Sequence, residues 1–204
     1  MQQNKEKRLL LIFTRNPEPG KVKTRLAKDI GNDAALDIYK FLLDHTVSIT
    51  KNLPVKKQVF FSEVIPGNDN WKENIYEKKI QKGKDLGERM ENAFKEGFLA
   101  GFREIIIIGS DIYDLKQQDL ELAFDELKKN DYVIGPASDG GYYLLGMKSL
   151  NPDLFKNKAW GSNSVLESTL EDIKNNQIKL LEERNDVDVY SDIKDHPTFS
   201  KFLK

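Results

Sequence analysis

The chain has 204 residues, of which 32 are lysine or arginine and 33 are aspartate or glutamate, for a formal net charge of -1. This balance gives no general reason to expect a nucleic-acid or membrane partner. The absence of cysteine excludes disulfides, thiolate catalysis and cysteine metal sites, and two histidines leave little basis for a multi-histidine zinc site. No apolar stretch is long enough for a signal peptide or a membrane span. We expect a single domain over residues 1–204 and a cytoplasmic protein.

The first predicted strand is RLLLIFT, from Arg8 to Thr14, and an irregular loop with two prolines and a glycine follows it. A helix is predicted to begin near Thr24. The loop and the helix start carry four cations, namely Arg15, Lys21, Lys23 and Arg25. Arginine forks and lysine charges are the groups that hold a di- or triphosphate. Composition alone is as compatible with a solvated basic turn as with phosphate binding.

Helical periodicity continues to about Lys51, and a second strand is predicted at residues 58–62, with a short one at 75–81. An amphipathic helix follows Asp85-Leu86-Gly87. Asp85 lies where a helix cap would lie, and a capped helix with a surface Arg89 accounts for this segment. The alternative is that the loop and the helix start meet an anionic ligand, which Arg89 clamps.

The next predicted strand is the run of four isoleucines from Ile105 to Ile108, which Gly109-Ser110-Asp111 ends abruptly. A run that is apolar on both faces is typical of a strand buried between two helical layers. In such sheets the ligand lies beyond the carboxyl ends of the strands, and a carboxylate there is a natural ligand for Mg²⁺ or Mn²⁺. The simpler interpretation is that Asp111 caps the following helix.

A helix is predicted at residues 117–129 and a strand at 131–134, which leads into Asp139-Gly140-Gly141 and a further strand. The two glycines suit a tight turn or a close approach of the backbone to a ligand. An ordinary hairpin turn explains Asp139-Gly140 equally well. Downstream, the pattern predicts a helix at 165–175, a strand at 178–183 and a terminal helix ending near Leu203.

The alternation of strands and helices predicts an α/β fold with a mixed, mostly parallel sheet wrapped by helices. The basic loop and the three Asp- and Gly-containing loops all fall at strand ends or helix starts. A nucleotide site requires that placement, with cations for phosphates, a carboxylate for a metal and glycines where the backbone meets the ligand.

Four motifs in order along the chain resemble a known family. They are FTRNPEPGKVKTRL from Phe13 to Leu26, DLGERM from Asp85 to Met90, GSD from Gly109 to Asp111 and GPASDGGYYLLG from Gly135 to Gly146. Together they resemble bacterial glycosyltransferase-like proteins of the GT-A (nucleotide-diphospho-sugar transferase) fold, related to phospholactate guanylyltransferase and molybdenum cofactor guanylyltransferase. The resemblance extends over about residues 8–192 and implies a three-layer α/β/α GT-A-like fold.

The resemblance also implies roles for individual residues. Asp111 matches the metal-binding aspartate of the fold, and Asp188 is a second candidate ligand for Mg²⁺ or Mn²⁺. Arg15, Lys23 and Arg25 match the loop that holds nucleotide phosphates. Asp139, Gly140 and Gly141 match the loop on the acceptor or sugar side. The sequence departs from the family where Ile112-Tyr113 replace a usual proline after Gly-Ser-Asp, and where Val189 stands in place of a frequent threonine.

The combined interpretation is a metal-dependent transferase that uses a nucleotide-activated donor, of the nucleotide-diphospho-sugar (glycosyl) transferase type. Lys23 and Arg25 would stabilise developing negative charge, and Asp139 would orient the acceptor or act as its base. Asp85, Arg89, Gly140 and Gly141 are the further candidates for ligand binding. One alternative is a nucleotidyltransferase that releases pyrophosphate, and another is an inactive nucleotide-binding domain. The expected partners are a nucleotide or nucleotide-sugar and a small-molecule acceptor.

Overall fold

The computed structural model describes residues 7–203, and its helices and strands alternate along much of the chain. The strands are β1 (Arg8–Thr14), β2 (Lys56–Phe61), β3 (Glu77–Ile80), β4 (Glu104–Ile108), β5 (Tyr132–Pro136), β6 (Tyr142–Met147) and β7 (Ile178–Leu180). The α-helices are α1 (Thr24–Ile30), α2 (Asn32–Thr50), α3 (Leu86–Leu99), α4 (Gln117–Lys129) and α5 (Val165–Asp172). Short 3₁₀ turns cover Pro152–Phe155, Tyr190–Asp192 and Pro197–Phe202.

These seven strands form one sheet in the order β3-β2-β1-β4-β6-β5-β7. All neighbouring pairs are parallel except those made by β6, which is antiparallel to both β4 and β5. The predicted mixed, mostly parallel sheet is therefore confirmed. The antiparallel strand follows from the tight turn after β5, because a short turn joins only antiparallel strands.

The isoleucine strand β4 lies between two apolar layers. Ile106 and Ile108 pack into one core cluster with residues of α2 and α4. Ile105 and Ile107 pack into another cluster with residues of α3 and α5. Because successive side chains of a strand point to opposite faces, a continuous apolar run suits a strand covered on both sides. The fold is a three-layer α/β/α sandwich, as predicted.

The parallel strands all end at one edge of the sheet, which we call the carboxyl edge. The turn between β5 and β6 also lies there. Its backbone closes twice, because Gly140 N–H donates to the carbonyl of Ala137 at 3.0 Å and Ala137 N–H donates to that of Gly141 at 3.0 Å. Gly140 has a φ of 86°, in the left-handed region that favours glycine. The hairpin turn predicted for Asp139-Gly140 is confirmed.

The prediction of a continuous terminal helix is wrong. The C-terminal segment instead forms short 3₁₀ turns, at Tyr190–Asp192 and Pro197–Phe202. Pro197 explains the interruption, since a proline disfavours helical geometry in the preceding residue, and His196 is extended with φ −95° and ψ 117°.

None of the helices within residues 7–203 combines the length and the apolar character that a membrane crossing requires.

Candidate functional site

A polar cleft of about 840 Å³ lies along the carboxyl edge of the sheet. The loops after β1, β2, β3, β4 and β5 contribute to its walls, together with the segment that contains Asp186 and Asp188. The cleft brings together most of the residues that the sequence singled out, namely Arg15, Lys23, Arg25, Asp85, Arg89, Asp111, Asp139 and Asp188. Gly141 instead lines a neighbouring apolar chamber, and Gly140 lines neither cavity.

Lys23 is the central cation of the polar cleft. Its side chain is 5% exposed, and its Nζ donates to Asp111 Oδ2 at 2.9 Å and lies 3.9 Å from Asp188 Oδ1. Burial lowers the pKa of Lys23, but Asp111 and Asp188 outweigh burial and leave this pKa above its usual value. The ammonium therefore stays charged. Lys23 has a φ of 49°, a left-handed conformation at the residue that precedes α1.

Arg25 reaches one of these two carboxylates from the first turn of α1. Its guanidinium pairs with Asp188, while its own side chain is 63% exposed. Two cations of the first loop thus hold two aspartates from distant parts of the chain. An exposed guanidinium can exchange such a carboxylate for a phosphate, because both accept the same bidentate fork.

Asp186 was not among the predicted site residues, yet it lines both cavities. Burial raises the pKa of Asp186 to about 6, with further contributions from Asp111, Asp139 and Asp188 against the opposing effect of Lys23. Within residues 7–203 its carboxylate has no hydrogen bond or ion pair. The sequence feature that could have identified Asp186 is the alternation of charged and apolar residues in Asp186-Val187-Asp188. Val187 is 4% exposed in the core, so its two neighbours point away from the core.

Asp111 does not cap a helix, so the simpler of the two interpretations is wrong. Helix α4 begins six residues later, at Gln117, and Asp119 Oδ2 accepts a hydrogen bond from the Lys116 backbone N–H at 2.8 Å at its start. Ile112 is 5% exposed and belongs to the core. The Asp111 side chain therefore has no capping role, and it pairs with Lys23.

Tyr113, the second residue of the departure from the family pattern, has a packing role. Its ring lies 5.1 Å from that of His45 and 5.2 Å from that of Phe199. The C-terminal turns thereby pack onto α2. The unusual pair Ile112-Tyr113 is accounted for by apolar and aromatic contacts.

Asp85 caps α3, as the first of its two interpretations held. Asp85 Oδ1 accepts from Glu88 N–H at 2.9 Å, and Glu88 in turn accepts from Lys84 N–H at 2.8 Å. Arg89 donates from Nε to the Gly83 carbonyl at 3.1 Å, which holds its guanidinium at the wall of the polar cleft. Binding of an anionic ligand by these residues stays a prediction.

Asp139 belongs to the turn between β5 and β6, and it faces both cavities. Its Oδ1 accepts from Gly141 N–H at 2.9 Å. The hydrogen bond stabilises the turn in the manner of an Asx turn. Its second oxygen, Oδ2, makes no hydrogen bond within the described residues.

A divalent cation fits the chemistry of this cluster. Carboxylate oxygens are the donors that Mg²⁺ and Mn²⁺ prefer, and Asp186 has no partner of its own within the part of the chain that the structure describes. Within residues 7–203, however, no group of three or more His, Cys, Asp or Glu side chains is arranged to hold a metal ion. Asp111 and Asp188 are instead brought together by Lys23.

The fold, with its cleft at the carboxyl edge of a mixed sheet, matches that of a solved protein of the nucleotide-diphospho-sugar transferase type. The chain belongs to the family described as "Uncharacterized protein conserved in bacteria (DUF2064)", which matches residues 46–162. It is 31% identical to a proposed nucleotide-diphospho-sugar transferase from Desulfovibrio desulfuricans G20, with a TM-score of 0.83 over 97% of this chain and 94% of that one. The predicted resemblance to GT-A-like proteins is confirmed.

More distant solved structures share the fold alone. The 4-diphosphocytidyl-2C-methyl-D-erythritol synthase from Anaerococcus prevotii is 8% identical, with a TM-score of 0.60 and 96% of each chain covered. A cytidylyltransferase from Leptospira borgpetersenii is 17% identical, with a TM-score of 0.56 over 92% of this chain and 83% of that one. No curated protein matches the sequence.

Proposed function

We propose that the protein is a transferase that binds a nucleotide-activated donor in the polar cleft and passes part of it to a small-molecule acceptor. The observation that supports this most directly is the meeting of Lys23 and Arg25 with Asp111 and Asp188 at the carboxyl edge. Such a site supplies both the cations that phosphates need and the carboxylates that a metal needs. The likeness to the proposed nucleotide-diphospho-sugar transferase favours glycosyl transfer.

The cations of the first loop would bind the phosphates. Arg15 and Arg25 line the cleft and offer bidentate forks, and Arg89 approaches from α3. Lys23 would move from Asp111 to a phosphate oxygen as negative charge develops on the leaving group. A positioned cation in a partly buried site stabilises that charge more than it would in water.

The aspartates would hold the metal. Asp111, Asp186 and Asp188 all line the polar cleft and would supply the oxygen donors. When bound, Mg²⁺ or Mn²⁺ would supply positive charge that neutralises the leaving group. Asp139 would use its Oδ2 to orient the acceptor hydroxyl and accept its proton.

Nucleotidyl transfer is the second candidate, and the density of cations favours it. Six lysine and arginine side chains line the polar cleft, namely Arg15, Lys21, Lys23, Arg25, Lys84 and Arg89. A triphosphate has more charge to match than a diphosphate. In this reaction the acceptor oxygen attacks the α-phosphorus and pyrophosphate leaves. In glycosyl transfer it attacks the sugar carbon and a nucleoside diphosphate leaves.

Product analysis distinguishes the two reactions. The protein is incubated with Mn²⁺, nucleoside triphosphates or nucleotide-sugars, and pyrophosphate and nucleoside diphosphate are both quantified. Calorimetry with the same nucleotides and nucleotide-sugars measures their binding to the protein in the absence of an acceptor. We expect Asp111→Asn to abolish the dependence of nucleotide binding on metal.

Asp37→Asn is the matched control, because Asp37 lies on α2 with a 62% exposed side chain and only a 3.9 Å contact to Lys40. This variant should bind nucleotide and metal as the wild type does. If no nucleotide binds, or if the two variants behave alike, the proposed site is wrong.

A further inference from the structure

An apolar chamber of about 240 Å³ adjoins the polar cleft. Several residues line both cavities, among them the three aspartates Asp111, Asp139 and Asp186. A molecule in the chamber can reach the same carboxylates as a nucleotide in the polar cleft.

The walls of the chamber are aromatic and aliphatic. They include Phe13 at the end of β1, Met90 of α3, Tyr142 of β6, Trp160 in the segment before α5 and Val165 at the start of α5. Apolar surface of this kind favours a ligand with a hydrophobic body, which gains free energy roughly in proportion to the area it removes from water.

No lysine, arginine or histidine of residues 7–203 lines the chamber, and its only charged groups are the three shared aspartates. A phosphate or carboxylate placed there would lose its hydration without gaining a counter-charge, and the aspartates would repel it. The polar cleft shares these aspartates, but six lysine and arginine side chains in its walls can supply the counter-charge that the chamber lacks. The two cavities therefore select ligands of different charge.

Close packing fixes the loop that closes the chamber. A Cβ atom on Gly87 would lie 2.6 Å from Trp160 Nε1, so α3 and the indole are in direct contact. A Cβ atom on Gly140 would lie 2.2 Å from the backbone oxygen of Asn163. In addition, Leu166 N–H donates to the Gly140 carbonyl at 2.9 Å. The glycines of two predicted motifs thus permit the close contacts that position the chamber wall.

We propose that this chamber binds the acceptor, and that the acceptor is an uncharged, largely apolar molecule that presents a hydroxyl group to Asp139. The inference rests on the proposed transferase function. In the reaction, the acceptor oxygen forms the bond to the transferred glycosyl or nucleotidyl group and its proton passes to Asp139 Oδ2. The bond from that group to the leaving nucleoside diphosphate or pyrophosphate breaks, and the electron pair leaves with it.

A matched pair of probes tests the charge selectivity, namely 2-phenylethanol and its phosphate monoester. The chain has two tryptophans, and Trp71 is 2% exposed in the core on the other face of the sheet. In a Trp71→Phe background, Trp160 fluorescence reports the chamber alone. We expect 2-phenylethanol to shift this emission and the phosphate ester to bind at least about tenfold more weakly, a difference of about 1.4 kcal/mol.

Saturation-transfer NMR on the wild-type protein gives the same comparison if Trp71→Phe does not fold. Equal or tighter binding of the phosphate ester would overturn the proposal. So would the absence of any binding of 2-phenylethanol.

Ser162→Lys places a cation in the chamber wall, since Ser162 lines the chamber and not the polar cleft. We expect this variant to reverse the preference toward the phosphate ester. Ser48→Lys is the control, because Ser48 is exposed near the end of α2 and lines neither cavity. A control that reverses the preference as well would show that the chamber is not the binding site.

Calorimetry with nucleoside triphosphate and Mn²⁺ separates the two proposals. Ser162→Lys should bind nucleotide as the wild type does. If wild-type protein binds 2-phenylethanol but no nucleotide, the proposed function fails while the character of the chamber stands. If it binds nucleotide but prefers the phosphate ester, only the acceptor assignment fails.

Discussion

Two tyrosines with buried hydroxyl groups show how a single hydroxyl affects stability. The Tyr142 hydroxyl is buried and has no hydrogen-bond partner within residues 7–203, and burial raises the pKa of this phenol far above its usual range. The Tyr76 hydroxyl, by contrast, lies 2.8 Å from Thr50 Oγ1 and donates to the Val47 carbonyl at 3.3 Å. An unpaired buried hydroxyl costs free energy, whereas a paired one contributes to stability.

We therefore predict opposite effects for the same substitution at the two sites. Tyr142→Phe should raise the free energy of unfolding by about 1 kcal/mol, and Tyr76→Phe should lower it by about 1 kcal/mol. Urea denaturation of the ligand-free protein measures both changes. A loss of stability in Tyr142→Phe comparable to that in Tyr76→Phe would mean that the Tyr142 hydroxyl has a partner.

Asp186 makes the stability of the metal-free protein depend on pH. Its folded-state pKa of about 6 lies above the ordinary value of 3.8, so the folded state holds this proton more tightly than the unfolded state. The charged carboxylate therefore destabilises the fold fully above pH 6, and the penalty disappears as pH falls toward 3.8.

Between about pH 7.5 and about pH 8, Asp186→Asn should accordingly raise the melting temperature. Near pH 4 the substitution should have little effect on it. Thermal denaturation in the presence of a chelator, across this pH range, measures the difference. Asp37→Asn should give no pH-dependent gain, since Asp37 is exposed. A constant gain for Asp186→Asn at all pH values would contradict the assigned cause.

At the scale of elements, the loop of residues 160–163 is attached to the sheet by the β5–β6 turn. Gly140 is the key contact, because it combines a φ of 86° with a backbone neighbour where a Cβ would stand. Gly67 provides a comparison, since it has no positive φ and no atom lies within 4 Å of the position that its Cβ would take. The two glycines occur in similar polar turns but in different surroundings.

We predict that Gly140→Ala lowers the free energy of unfolding by at least about 2 kcal/mol, because the backbone strain and the clash with Asn163 add together. Gly67→Ala should change it by less than about 0.5 kcal/mol. Denaturant unfolding gives both values, and Trp160 fluorescence reports displacement of the loop. Equal effects of the two substitutions would show that the loop can move without cost.

At the scale of the whole molecule, the polar cleft gathers charged side chains of both signs. The formal net charge of the chain is -1, and six lysine and arginine side chains line the cleft beside six aspartate and glutamate side chains. The topology produces this concentration, since every parallel strand delivers its following loop to the carboxyl edge. The apolar chamber beside the cleft has three of these aspartates but no lysine or arginine among the described residues.

This division predicts different salt dependences for the two cavities. Raising NaCl from about 0.05 M to about 0.5 M should weaken nucleoside triphosphate binding several-fold, because salt screens the partly exposed cations. Binding of 2-phenylethanol should not weaken, since burial of apolar surface does not depend on charge. Calorimetric titrations at several salt concentrations measure both, and parallel losses for the two ligands would contradict the division.

Local patterns in the sequence were sufficient to predict most of the architecture. The isoleucine run specified a strand covered on both faces, and the amphipathic segment at 117–129 specified α4 with the bounds that the structure has. The Asp139-Gly140 pair specified a hairpin turn. Each of these follows from interactions among residues close in sequence, namely side-chain periodicity, capping and turn geometry.

Only the tertiary structure decided how the candidate residues meet. Lys23 and Asp111 are 88 positions apart, and their ion pair exists because β1 and β4 are neighbours in the sheet. Asp186 became a member of the cluster because the segment after β7 returns to the same edge. The apolar chamber likewise arises from elements that are remote in sequence. Strand order and loop docking depend on long-range packing, which the spacing of residues along a chain does not encode.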